Sequence, residues 1–288
     1  MESSQLSALV KDIERCISSL GLMYRIFYRE KSIDSFLKKI NRTPGKYSNE
    51  KKVQDLIGIR IALYFVDDID IVRNALEKKF DFIAKDSQID TPAIETFSAV
   101  RYNLIFKLPE YYNPKFEIEP EYHKIIDNTF ELQIRTILSE GWHEVDHDLR
   151  FKCKEDWFEL EKENRAFNGV YATLETSEWT LLKLFEDLAY IHYKKSNIKA
   201  MINNKFRLRF KPSKLDDDIL KYLIDKPNLI KKIYRYERSK LLFNLSIRPF
   251  IPINISNLIF IMNLESLNDE GIFSIMPPTL EMWWESAN

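Results

Sequence analysis

Two imidazoles four residues apart occur in the string His143-Glu144-Val145-Asp146-His147. On a helix that spacing puts both rings on one face, with Glu144 beside them to work on a zinc-bound water, the arrangement of a zinc metallopeptidase. Just upstream, Phe130-Glu-Leu-Gln-Ile-Arg-Thr136 offers a different chemistry: a carboxylate, Glu131, on a strand that also carries Gln133 and Arg135. The zinc reading needs a third ligand. Asp146 puts a charge inside the motif, no glycine-and-histidine continuation follows, and only scattered glutamates (Glu161, Glu163, Glu175) lie downstream. Without a metal, the same string reads as a charged helix face with His147 satisfied by a nearby carboxylate.

A second group of residues handles anions. Arg29-Glu-Lys-Ser-Ile-Asp-Ser35, followed by Lys38 and Lys39, gathers Arg29, Lys31, Ser32, Ser35 and Lys39 around a helix start. Backbone N–H groups at such a start, with added cations and hydroxyls, bind phosphates; the plain alternative is a solvated helix. From Tyr24 to Arg60 there are ten basic and four acidic residues, in a chain whose formal net charge is -1. That local excess favours a polyphosphate or RNA partner. Asp55 precedes an apolar strand, and Glu131 lies on another. Carboxylates from adjacent strands can share Mg2+, which prefers oxygen ligands and bridges nucleotide phosphates. An Asp at a strand start also serves as an ordinary cap or turn residue.

These side chains need elements to hold them. Apolar spacing over residues 5 to 28 predicts an amphipathic opening helix, and 33 to 40 a second one ended by Asn41-Arg-Thr-Pro-Gly45. Leu56 to Val66 reads as a central strand, with a helix from Asp67 to Phe80 and further strands at 102 to 108 and 130 to 135. A Tyr/Pro/Glu-rich loop fills 109 to 128, and 137 to 193 is mainly helical. The expected fold is α+β, a mixed central β-sheet flanked by helices, over residues 1–200, with a smaller C-terminal α/β extension over 201–288. A hydrophobic fraction of 45% over 288 residues is enough for a core. Two distant cysteines, Cys16 and Cys153, exclude a disulfide framework and a cysteine zinc site. Neither a signal peptide nor a run of about 18 apolar residues is present, so a cytoplasmic protein with no membrane partner is expected.

In this order the segments resemble the synthetase domain of the RelA/SpoT family, pyrophosphate transferases that make guanosine tetra- and pentaphosphate. The resemblance rests on Arg29-Glu-Lys-Ser with Ser35 and Lys39, Asp55-Leu-Ile-Gly-Ile-Arg60 running to Asp68, Glu131 to Thr136, and Trp142 with His147-Asp-Leu-Arg-Phe-Lys152. It covers about residues 20 to 155, and it absorbs the His-Glu-x-x-His string into the family's helix. It implies that Arg29, Lys31, Ser32, Ser35, Lys39 and Arg60 bind ATP. Asp55 and Glu131 would hold Mg2+ and carry catalysis, Glu131 also assisting deprotonation of a ribose 3′-hydroxyl. Tyr102, Asn103, Gln133, Arg135 and His147 are placed on the acceptor side. The implied reaction moves the β,γ-pyrophosphate of ATP to that hydroxyl and releases AMP.

One departure bears on the acceptor. Where the family has Gly-Tyr-x-Ser-x-His, this chain has Ser98-Ala-Val-Arg-Tyr-Asn103, without the guanine-stacking tyrosine or the histidine; Tyr102 or Phe97 is the available replacement. No hydrolase domain precedes the synthetase-like part and no long tail follows, as in small single-domain members, some of which are toxins that modify the 3′ CCA end of tRNA. The expectation is a pyrophosphokinase with tRNA as acceptor slightly ahead of GDP or GTP. The alternative from another class is a nucleotide-binding sensor that has lost catalysis. The C-terminal unit, with Trp283-Trp284, is expected to be core or a surface for an antitoxin or trigger protein.

Overall fold

The structure, a computed structural model, describes residues 4–48, 50–90, 95, 97, 100–112, 118–209 and 215–285. The chain divides into two compact units, one of Met1–Glu14 with Tyr24–Glu178, the other of Arg15–Met23 with Trp179–Asn288. The division therefore falls at 178/179, not at the composition shift near 201, and a short N-terminal segment goes with the later unit.

The first unit is built on five strands: β1 (Tyr24–Glu30), β2 (Ile57–Leu63), β3 (Gln88–Ile89), β4 (Tyr102–Lys107) and β5 (Thr129–Thr136), in the order β1-β2-β5-β4-β3. β2 and β5 are parallel; the other pairs are antiparallel. Strand alternation gives the sheet two unlike faces. Ile59, Ile61, Leu104, Phe106, Phe130, Leu132 and Ile134 are all buried. On that face the rings of Phe106 and Phe130 stack at 5.3 Å, and Phe80 meets Phe130 edge-on at 5.6 Å. The opposite face carries Arg29, Gly58 and Glu131 in one cross-strand row and Phe27, Arg60, Gln133 and Asn103 in the next.

Between strands run α2 (Ile33–Arg42), α3 (Ile69–Lys79) and, after β5, α4 (Ile137–Val145). Ser32 caps α2 by accepting from the Ser35 N–H. Phe36, fully buried with Val53, Leu56 and Ile125, clamps the helix to the sheet and leaves its other side open. Thr136 and Ser139 form a capping box that starts α4 directly from the end of β5. A π-helical turn, Asp146–Phe151, continues α4, closed by the Lys152 N–H on the His147 carbonyl at 3.2 Å.

The expected helix over 5 to 28 is corrected. α1 (Ser4–Ser18) is shorter, and Tyr24–Glu30 is a strand whose exposure alternates residue by residue. The second unit takes the C-terminal part of α5 (Glu161–Lys194), which continues across the division from the first, and adds α6 (Ile198–Phe206), α7 (Asp217–Ile224), α8 (Pro227–Arg235), α9 (Arg238–Ile247), α10 (Ile255–Met262), α11 (Glu270–Ile275) and α12 (Pro278–Glu285). No strand occurs among its described residues, so the C-terminal extension is helical rather than α/β. Leu241, Leu242 and Leu245, then Ile255, Leu258, Ile259 and Met262, recur at helical spacing and are buried. Gly21, at φ +69°, turns the chain here, and a Cβ on it would lie 2.8 Å from Ile253 Cδ1. No helix among the described residues is long and apolar enough to cross a membrane.

Candidate active site

Asp55 is held just ahead of β2, where the Lys31 N–H donates to the Leu56 carbonyl at 2.7 Å. Its carboxylate accepts from Lys31 Nζ at 2.5 Å and from Lys39 Nζ at 2.7 Å. Burial disfavours the Asp55 charge, but the two ammonium groups outweigh it and keep the carboxyl below its ordinary range. Burial lowers Lys31 despite its bond to Asp55, whereas for Lys39 the bond to Asp55 prevails over burial and raises it. A cleft of about 730 Å³ opens here. It is lined by Arg29, Lys31, Ser32, Ser35, Lys39 and Asp55 and also by residues such as Arg42, Lys46, Tyr47, His147, Phe151 and Lys152. Five of the six predicted ATP-binding residues thus share one cleft with Asp55. Because Phe36 points into the core, Ser32, Ser35 and Lys39 are turned to the open side.

Glu131 lies on the neighbouring strand, paired with Gly58, which is itself paired with Arg29. Gly58 keeps the floor between these side chains low: a Cβ there would find only Arg29 Cγ, at 4.0 Å. Phe27, Arg29, Gly58, Arg60, Glu131, Gln133 and Glu144 line a narrower recess of about 130 Å³. Burial raises the Glu131 pKa and the Asp55 charge raises it further, against a hydrogen bond from Gln133. A carboxylate of heightened basicity beside a cation-rich cleft is equipped to take a proton.

Arg60, the sixth predicted ATP ligand, is in this recess. It bonds Gln133 Oε1 at 3.2 Å and forms ion pairs with Glu140 and Glu144. Glu140, 8% exposed, also accepts from Arg135 at 3.0 Å. Arg135 therefore braces α4 against the sheet. Glu140 had no place in the sequence reading; its signal was the four-residue spacing to Glu144 on a helix starting at the end of β5.

Asn103 pairs with Gln133 on the Glu131 face, but Tyr102, its neighbour on β4, points the other way, where it feels Asp70 and Arg73 of α3. Tyr102 and Asn103 do not come together. Of the acceptor loop 98–103, residues 98 and 99 lie outside the described residues. His147 lines the same cleft as Lys39 rather than the Glu131 recess.

The zinc arrangement does not form. α4 ends at Val145, and the wider turn that follows sends the two imidazoles into different surroundings. His143 packs on Trp142 and Tyr171, at 5.4 and 6.0 Å between ring centroids. Burial, then the charges of Arg135, Arg60 and Arg101, lower its pKa to about 3. Glu144, the would-be base, is paired with Arg60. Among the described residues no three His, Cys, Asp or Glu side chains are grouped to hold a metal. Asp55 and Glu131 are a two-carboxylate set whose mutual repulsion a cation would relieve, so they fit a magnesium ion that takes its other oxygens from phosphate and water.

Residues 28–156 match the family model described as a region found in RelA / SpoT proteins. Over 125 residues the chain is 33% identical to GTP pyrophosphokinase YjbM of Bacillus subtilis (strain 168), covering 43% of this chain and 54% of that protein. The chain thus spans about half the length of the curated relative it matches. Among solved structures, small alarmone synthetase 1 from Bacillus subtilis aligns with a TM-score of 0.47 at 20% identity, over 62% of this chain and 92% of its own. A GTP pyrophosphokinase family protein from Streptococcus pneumoniae aligns with a TM-score of 0.44 at 18% identity, over 63% and 88%.

Proposed function

We propose, from the match of residues 28–156 to the RelA / SpoT family model, that the protein is a pyrophosphotransferase of that family with ATP as donor and a ribose 3′-hydroxyl as acceptor. The observation that carries this reading is the raised-pKa Glu131, in one cross-strand row with Gly58 and Arg29 and close enough to Asp55 to feel its charge, in a recess that shares Arg29 with the cleft lined by Lys31, Ser32, Ser35 and Lys39. The triphosphate lies along α2, with its oxygens on the lysines and hydroxyls. Arg29 and Arg60 flank the adenosine end over Gly58. Glu131 takes the proton of the 3′-hydroxyl, whose oxygen forms a new bond to the β-phosphorus as the bond from that phosphorus to the α-phosphate oxygen breaks; AMP carries the leaving charge away. Magnesium held by Asp55 and Glu131 would neutralise the triphosphate, freeing Lys31 and Lys39 to turn from Asp55 to phosphate.

For the acceptor, the 3′ CCA end of tRNA is placed ahead of GDP or GTP, which makes the protein a translation-inhibiting toxin. The basic excess from Tyr24 to Arg60 and the altered acceptor loop favour RNA. The name of the relative, a GTP pyrophosphokinase, favours a guanine nucleotide. Incubation with γ-labelled ATP, Mg2+, GDP, GTP and bulk tRNA separates them: label on tRNA supports the toxin, while label only on guanine nucleotide ends it in favour of alarmone synthesis. ATP binding with no transfer to any acceptor would turn the assignment to a nucleotide sensor.

A further inference from the structure

We infer that the part of the Asp55 cleft lined by Tyr47, Lys46 and Phe151 is a rail for single-stranded RNA, gripping the nucleotides that precede the reacting 3′ end. This deepens the pyrophosphotransfer reading and rests on it for the position of that end. Arg29, Lys31 and Lys39 around Asp55 supply about the charge that a magnesium triphosphate needs, yet the same cleft is also lined by Arg42, Lys46 and Lys152. Lys152 is paired with Asp148 at 2.6 Å, and Arg42 and Lys46 are cleft cations beyond those a donor nucleotide needs around Asp55. Aromatic faces are interleaved with them. The Tyr47 ring has Lys39 Nζ at 5.5 Å and Lys46 Nζ at 5.7 Å. His147 and Phe151 stack at an interplanar angle of 13°, and Lys154 Nζ lies 4.5 Å from the Phe151 ring. Phe151 is 56% exposed, and the π-helical turn holds it on the cleft wall instead of in the core. Alternating rings and cations along a groove stack bases while following a phosphate backbone, and they require bases already free of a duplex. Tyr47 is anchored from behind by the core around Phe36, so this platform is fixed before any ligand arrives.

The test is fluorescence anisotropy of a 5′-labelled single-stranded RNA ending in CCA, titrated with the full chain over a series of salt concentrations. Wild type should bind the single strand more tightly than the same sequence in a duplex. Phe151→Ala should weaken binding about tenfold through lost stacking. Lys46→Ala and Lys152→Ala should each flatten the slope of log K against log salt by about 0.7. Calorimetric ATP affinity should be unchanged in Lys46→Ala and Phe151→Ala, and their thermal melts confirm folding, since both positions are exposed. RNA affinity that ignores all three substitutions, or a preference for duplex, overturns the rail. Transfer assays on the same samples keep the two readings apart. Transfer to GDP with no RNA binding sinks the rail and spares the enzyme; RNA binding that depends on Phe151 without transfer to any acceptor does the reverse.

Discussion

Glu131 on β5 and Asp55 just ahead of β2 are carboxylates shifted in opposite directions by their neighbours. Burial and the charge of Asp55 raise Glu131, whereas Lys31 and Lys39 hold Asp55 low against its own burial. The signs give separate predictions. As a base, Glu131 works only when deprotonated, so the transfer rate should climb as pH rises through its raised pKa. Glu131→Gln should cost about 10²- to 10⁴-fold in rate and remove that acidic limb, measured by rate–pH profiles. Asp55 has a folded pKa below its unfolded value, so it contributes stability above the unfolded value that is lost as pH falls through the folded one. Thermal melts at stepped acidic pH should show Tm falling less steeply for Asp55→Asn than for wild type; parallel slopes would refute the ion-pair account. Legibility at this scale followed strand alternation. Asp55, Glu131 and the α2 cations could be read because their neighbours along the chain fix where they point. Tyr102 was misjudged although the same rule applied: adjacent residues of one strand face opposite sides, so Tyr102 and Asn103 were never able to share a site.

At the scale of elements, α2 is the part on which the Asp55 cleft depends. Its four cleft-lining charges and hydroxyls are aimed by a single buried anchor, Phe36. Phe36→Ala should destabilise the protein by about 3–5 kcal/mol in denaturant unfolding and weaken ATP binding even though the residue touches no ligand. Removing the cap at the β5–α4 junction with Thr136→Ala should cost about 1 kcal/mol and loosen the Arg60 and Arg135 pairs to Glu140, visible as a raised KM. β2, β4 and β5 were legible because β-branched and aromatic runs stand between turn residues. β1 was not. Its Tyr24, Phe27 and Tyr28 continue the helical spacing of Ile13, Ile17 and Leu20, and only the Gly21 break separates the two patterns. The Glu140/Glu144 spacing marked a helix face but not its partners, which depend on the angle at which α4 crosses the sheet, and no local pattern encodes that angle.

For the molecule as a whole, the division into units does not follow chain order. Arg15–Met23 joins the C-terminal helices, where the Arg209 N–H donates to the Gly21 carbonyl at 2.6 Å and Leu20 and Leu22 are buried. Gly21→Ala combines a positive φ with a close approach to Ile253, so it should lower stability by roughly 1–3 kcal/mol and do so through the second unit. Hydrogen exchange should show faster opening at Leu208 and Ile255 than in β2 or β5; uniform acceleration would contradict the partition. Cutting the chain after residue 200 is accordingly no clean excision, because it strands Ile17, Leu20 and Leu22 without the helices that cover them. The same threading imposes a schedule on biosynthesis. The segment around Gly21 leaves the ribosome before the sheet does, yet the residues it packs on, Leu208 and Ile253, are translated after it. The sheet, with Asp55 and Glu131, emerges complete in between, so a nascent chain carries the first unit before it can close the second, and a stalled ribosome would display that unit alone.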